Sequence, residues 1–353
     1  MVVDPLRLPH KITIILLHGR GANASLFGPP LLSKKLPSSN RTFRQALPHA
    51  KFIFPDAPES RAVSSNGILG TQWFELSSPL TEPTPQSVEE LMCKGLKETC
   101  IMLHHLLRRE IEVIGAQNVV LGGLSQGCAA SLIAALLWQG DPLGAIVGMC
   151  GWLPLADTIV GLTSVGSDRQ CKIPAELNSR SDRSSNVHDE DNNERIIAEQ
   201  REEKRDSGTL SQAVKLLNEK LDFPSSSLPN PSFSLQRSPV FLAHGTVDRI
   251  VPFHLGVQAR DCLLSIGIQT QWMEEEGQDH WYTGKMLEQL ISFLTDNGVV
   301  VDEQHIDHSD ENRREAQERH HWQTRGRSGR SRRRGDRRTI QGGVGKRDWR
   351  RRW

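Results

Sequence analysis

The sequence predicts an α/β protein: a mainly parallel, doubly wound sheet flanked by helices. Three observations predict it. Short apolar runs alternate with helix-like patterns along the first 297 residues. A run of Val119, Val120 and Leu121 leads into Gly122-Gly-Leu-Ser-Gln-Gly127, and small residues at helical spacing follow at once. Two later strand-like runs each end in a polar loop, the first carrying an acid and the second a histidine. Alternating strands and helices favour parallel pairing, because parallel neighbours need a crossover long enough to hold a helix.

The elements follow in order. Ile12 to Leu17 is an unbroken apolar run, read as a buried strand, and residues 52–54 form a second. A long helix is expected to open on a capping box at Ser87-Val-Glu-Glu90, with Val88, Leu91, Met92, Leu96, Leu103, Leu106 and Leu107 on one face. Further strands are expected at 119–121, 145–149, 240–243 and 270–273. The last helix carries Met286, Leu287, Leu290, Ile291, Phe293 and Leu294. These elements delimit a domain over 10–297. Two stretches do not suit a compact domain. Residues 160–236 are polar and mixed in charge at their centre and read as a flexible insertion, with room for a short helix near 209–221. Residues 298–353 pass from acidic residues into an arginine run and read as a disordered basic tail.

Gly123-x-Ser125-x-Gly127 has the spacing of a nucleophile elbow. A sharp turn from strand to helix lifts the serine hydroxyl above the sheet edge, and the flanking glycines remove β-carbons that would clash. A serine hydroxyl is a poor nucleophile until a base takes its proton, and the base works best when a carboxylate orients it. Asp248, in the loop after 240–243, is the candidate acid. His280, in the loop Glu276-Gly-Gln-Asp-His280 after 270–273, is the candidate base. The order Ser, Asp, His is that of α/β-hydrolases. Asp279 is adjacent to the histidine and reads as a local cap. A tetrahedral intermediate needs two backbone N–H donors. Gln126, next to the serine, supplies one, and Arg20 in His18-Gly-Arg-Gly21 supplies the other. His18 reads as structural.

Several segments carry a closer resemblance: Leu17-His-Gly-Arg-Gly21, Phe54-Pro-Asp-Ala-Pro58, Gln72-Trp-Phe-Glu75, Gly122-Gly-Leu-Ser-Gln-Gly127, Gly151-Trp-Leu-Pro154, His244-Gly-Thr-Val-Asp248 and Gly277-Gln-Asp-His280. Together they resemble the phospholipase/carboxylesterase family of acyl-protein thioesterase-like serine hydrolases, and most closely its fungal carboxylesterase-like branch. The resemblance implies an α/β-hydrolase fold and cleavage of carboxylic esters or thioesters, lysophospholipids included, through an acyl-enzyme. It implies Ser125, Asp248 and His280 as triad, Arg20 and Gln126 as oxyanion donors, and Trp73 and Trp152 as walls of the acyl pocket. It implies an acyl ester or thioester as partner, and pairing of two copies is known among such proteins. Two residues depart from the pattern. Arg20 stands where leucine is usual, and Glu75 where aspartate is usual.

Composition narrows the rest. With 43 basic and 42 acidic residues the net charge is +1, which points to no special partner. Six cysteines without a Cys-x-x-Cys spacing indicate neither zinc nor a disulfide framework. Cys128 and Cys150 are expected to be buried, and Cys171 exposed. No cofactor and no metal is expected, since no dinucleotide fingerprint is present. No apolar run is long enough for a signal peptide or a membrane span. The expected location is cytoplasmic, with a nuclear route through the arginines. A rival reading is a hydrolase-fold binding protein whose tail engages nucleic acid or acidic surfaces. The plainer reading of the tail, a solvated end or read-through beyond the gene, is favoured.

Overall fold

In a computed structural model, residues 1–61, 69–76, 80, 85–167, 208–224 and 234–300 are described. The tail after residue 300, Cys171 and the centre of the 160–236 stretch lie outside the described residues.

Among the described residues there are nine strands: β1 (Val2–Val3), β2 (Ile12–Leu17), β3 (Ala50–Ile53), β4 (Glu59–Arg61), β5 (Leu69–Thr71), β6 (Val119–Leu124), β7 (Ala145–Met149), β8 (Val240–Gly245) and β9 (Thr270–Glu275). Seven of them form one sheet in the order β1-β3-β2-β6-β7-β8-β9. Only β1 runs antiparallel to its neighbour; every other pair is parallel. Strands β4 and β5 form a separate antiparallel hairpin. The sheet begins with β1, so the ordered domain starts before residue 10, where the sequence placed its edge.

The sheet has helices on both faces, and the strands' period of two decides which side chain meets which. Along β2, Ile12, Ile14 and Leu16 join one apolar cluster, and Ile15 and Leu17 join the other. The first cluster is closed by α1 (Ala24–Leu32), α2 (Phe43–Ala46) and α8 (Gly284–Asp296). The second is closed by α3 (Gln86–Ile114), α4 (Gln126–Leu136), α5 (Ala156–Ser167), α6 (208–220) and α7 (Phe253–Ser265). Being covered on both faces explains why β2, β6, β7 and β8 are buried along their whole length.

One expectation needs correction. Helix α3 starts at Gln86 with Pro85 as its N-cap, and no side chain caps it, so the capping box at Ser87 is not formed. Proline's fixed φ suits a helix start, and the restricted backbone around it moves the first turn forward. The short helix expected near 209–221 is present as α6. Leu210, Ala213, Val214, Leu217 and Leu221 follow helical spacing, and all are buried in the second cluster. Lys220 pairs with Glu89, and Lys97 with Asp222, which ties this segment to α3.

Candidate active site

The parallel topology gathers the candidate residues at one edge. Ser125 follows β6, Cys150 follows β7, Asp248 follows β8 and His280 follows β9, so each sits past the C-terminal end of a successive strand in one row. Open parallel sheets build their sites at that edge. Strand β2, the other neighbour of β6, delivers Gly19 and Arg20 beside the serine.

The elbow has the strain its sequence implies. Ser125 adopts φ 57° and ψ −123°, a region L-residues rarely occupy. Its N–H donates to the Met149 carbonyl at 2.9 Å, which holds the turn against β7. A β-carbon at Gly123 would stand 2.6 Å from the Gly127 backbone, and one at Gly127 would stand 2.4 Å from the Leu17 carbonyl oxygen. Both glycines are therefore required by close approach: α4 leaves the strand so abruptly that no side chain fits between them. Ser125 is 8% exposed. Among the described residues its hydroxyl makes no hydrogen bond to His280, and such serine–base bonds are often long until substrate is bound.

Asp248 and His280 are in direct contact. His280 Nδ1 donates to Asp248 Oδ2 at 2.8 Å, which leaves Nε2 without that proton. Asp248 Oδ1 accepts the N–H groups of Ile250 (2.9 Å) and Val251 (2.8 Å). A second histidine completes the set. His244 Nε2 lies 2.9 Å from the Val251 carbonyl and 3.2 Å from Asp248 Oδ2, so its proton is shared between them. Burial alone would raise the Asp248 carboxyl. The bonds from His244 and His280, with the backbone bond from Val251, outweigh it and hold the carboxyl well below the usual carboxylate range.

Sequence reasoning quoted His244 only as part of a motif and gave it no role. Its signal was a histidine closing a buried strand four residues before the acid. Replacing His244 by alanine should leave a charged oxygen with one donor fewer. The expected result is a fall of roughly tenfold in kcat, about 1.4 kcal/mol, together with a lower melting temperature, read by ester kinetics and calorimetry.

The loop that carries Arg20 is held by His18 and Trp73. His18 Nε2 accepts the Ala57 N–H at 3.1 Å, so its proton sits on Nδ1, which donates to the Gly19 carbonyl at 2.8 Å. With both nitrogens engaged in the loop's own backbone and its charged form disfavoured by burial, His18 is structural. The Trp73 indole N–H donates to the His18 carbonyl at 2.8 Å, and its ring lies 5.0 Å from the imidazole. Trp73 thus props the loop that carries Arg20. The Gln126 side chain accepts the Trp73 N–H (3.0 Å) and donates to the Phe74 carbonyl (2.8 Å). Its backbone N–H lies in the first turn of α4, where helices leave donors without an internal acceptor. Trp152 is buried and meets Phe74 edge-on at 6.1 Å.

The two departures from the family pattern meet in space. Burial lowers the Arg20 guanidinium from its usual value, and the nearby Glu75 carboxylate opposes that shift. Glu75 is itself buried and accepts the Gln72 side-chain amide at 3.1 Å. An arginine in place of leucine is thereby matched by an acid within electrostatic reach.

Cys150, Asp248 and His280 place a thiol, a carboxylate and an imidazole within 4.8 Å of one another. The donors do not suit a cation. All four acceptor directions of Asp248 are taken by N–H groups, and burial beside that carboxylate pushes the Cys150 thiol up, so it stays protonated. Cys128 and Cys150 are both buried, as expected. Among the described residues no helix is long and apolar enough to cross a membrane.

The family model for Phospholipase/Carboxylesterase matches residues 1–170. The chain is 24% identical over 296 residues to acyl-protein thioesterase 1 of Yarrowia lipolytica, covering 83% of this chain and 95% of that one. Acyl-protein thioesterase 1 homolog 1 of Dictyostelium discoideum is 30% identical over 153 residues, 43% of this chain and 62% of that one. Among solved structures, Zea mays acyl-protein thioesterase 2 superposes with a TM-score of 0.55 at 21% identity, covering 84% of this chain and 97% of that one. Arabidopsis thaliana SOBER1 does so with a TM-score of 0.52 at 20% identity, covering 81% and 99%. These structural likenesses bear on the α/β-hydrolase fold.

Proposed function

We propose that the chain, whose residues 1–170 match the family model for Phospholipase/Carboxylesterase, is a serine hydrolase of that family that cleaves carboxylic esters or thioesters through an acyl-enzyme on Ser125. The observation that carries this reading is the Asp248–His280 contact at 2.8 Å, past the strands that follow the strained serine turn. His280 Nε2 takes the Ser125 proton as the oxygen attacks the acyl carbon. Asp248 holds the Nδ1 tautomer and stabilises the imidazolium. The backbone N–H groups of Arg20 and Gln126 receive the oxyanion. His280 returns the proton to the departing alcohol or thiol, and a water that it deprotonates then releases the acid. Trp152 lines the acyl side, and Trp73 acts on it through the oxyanion loop.

The names of the relatives favour an acyl group joined to a protein or a lipid as the substrate class. The test is labelling with a fluorophosphonate, which phosphonylates only an activated serine. One adduct per chain, mapped to the peptide carrying Ser125, is the expected outcome, with matching turnover of an aryl ester and an acyl thioester. A folded protein that stays unlabelled overturns the reading.

A further inference from the structure

Arg249 and Asp279 take no part in the proton path, yet each is the chain neighbour of a residue that does. Arg249 follows Asp248 on the loop after β8, and Asp279 precedes His280 on the loop after β9. Arg249 Nε donates to Asp279 Oδ2 at 2.9 Å, and its Nη2 donates to the same oxygen. The Arg249 backbone N–H donates to Asp279 Oδ1 at 3.1 Å, and that oxygen also accepts the His280 backbone N–H at 2.8 Å. One carboxylate therefore gathers the main chain beside the acid and the main chain of the base. The imidazole ring's own partner is Asp248.

We infer that the Arg249–Asp279 pair is a positioning clasp between the two loops, setting the aim of the His280 imidazole toward Ser125. The inference rests on the proposed triad. Other bonds lace the loop stems: Thr246 N–H to the Glu275 carbonyl, Val247 N–H to the Gln278 carbonyl, and Gly277 N–H to Thr246 Oγ1. These secure the stems, while the clasp joins the residues adjacent to the reacting pair. The Arg249 side chain is 82% exposed and that of Asp279 40%. Such a pair adds little to global stability. Catalysis is far less tolerant, since displacements of about 1 Å can cost up to about 10²-fold in rate. The clasp is thus expected to show in kcat and hardly in the melting temperature, and its exposure makes it sensitive to salt.

The test is steady-state hydrolysis of an uncharged aryl ester by the full chain. Arg249→Ala should lower kcat about tenfold, with KM within about twofold of wild type. Arg249→Lys should recover most of that loss at low salt. Added salt should bring wild type toward Arg249→Ala while leaving Arg249→Ala nearly unchanged. Asp279→Asn keeps an oxygen for the two amides but loses the charge. It should cost a similar factor, and the double variant no more than either single one. Lys97→Ala, which breaks the remote exposed Lys97–Asp222 pair, is the control and should keep wild-type kcat. Kcat within twofold of wild type in Arg249→Ala, a change confined to KM, or fully additive losses would each overturn the clasp. If Ser125→Ala stays active, it is the triad that falls; if Ser125→Ala is inactive and the clasp variants are normal, the clasp alone falls.

Discussion

Alanine at position 125 should lower kcat for ester hydrolysis by roughly 10⁴- to 10⁶-fold while leaving the fold intact. The size follows from the division of labour. Without the hydroxyl no acyl-enzyme forms, and His280 is left to activate water alone. The oxyanion donors at Arg20 and Gln126 are backbone groups, so they survive the substitution and sustain a residual rate above that of water. The fold should survive because what shapes the elbow is also backbone. The Ser125 N–H bond to the Met149 carbonyl and the packing of Gly123 and Gly127 against β2 and α4 do not involve the hydroxyl. Alanine must still adopt φ 57°, as serine does, so the strain is common to both. Circular dichroism and thermal melting check the fold, and fluorophosphonate labelling should disappear. A variant that folds normally and still turns over ester at more than about a hundredth of the wild-type rate would remove Ser125 from its role.

What could be seen in the chain before its structure depended on how local the cause was. Strands β2 and β7 fall where their apolar runs predicted, because burial on both faces writes an uninterrupted signal. The elbow was legible because two glycines and a strand-to-helix turn sit within five residues. Asp248 and His280 were legible from their order and from the strands before them. The start of α3 was misplaced because Pro85 competes with a capping box only two residues on, and backbone restriction wins. The contacts of His244 and Arg249 were not visible, since each depends on a partner reached only after folding: His244 on how the chain curls back over Asp248, Arg249 on a loop thirty residues away. Arg20 and Glu75 looked like two independent departures, and only the electrostatic influence of Glu75 on Arg20 in the folded chain shows them to be matched. Helix α6 was legible as a short helix near 209–221, because its apolar spacing stands out between polar flanks.

Asparagine at position 248 should lower kcat by about 10⁴-fold and should also weaken the fold, unlike the change at Ser125. Asp248 accepts from two backbone N–H groups on one oxygen and from His280 and His244 on the other. Asparagine can satisfy only one of these pairs. If its oxygen stays with Ile250 and Val251, its NH₂ meets two histidine N–H groups. His280 then escapes the clash by moving its proton from Nδ1 to Nε2, and Nε2, the nitrogen proposed to take the Ser125 proton, can no longer accept one. If the amide turns over, the NH₂ faces the two backbone donors Ile250 and Val251 in the loop before α7, which is worse because those cannot move their protons. Either way, buried bonds to a charged acceptor are lost, at about 2 kcal/mol or more in stability. The pH dependence separates this from ordinary core damage. The Asp248 carboxyl is held below its usual range in the folded protein, because the histidine and backbone donors outweigh burial. Its contribution to stability is therefore fully present above the ordinary carboxylate pKa, about 3.9, and is lost as the pH falls through the lower folded value. The gap in melting temperature between wild type and Asp248→Asn should be widest near neutral pH and narrow on acidification below about pH 4. A gap of constant width across that range would mean that the ionised carboxylate is not what the two histidines hold.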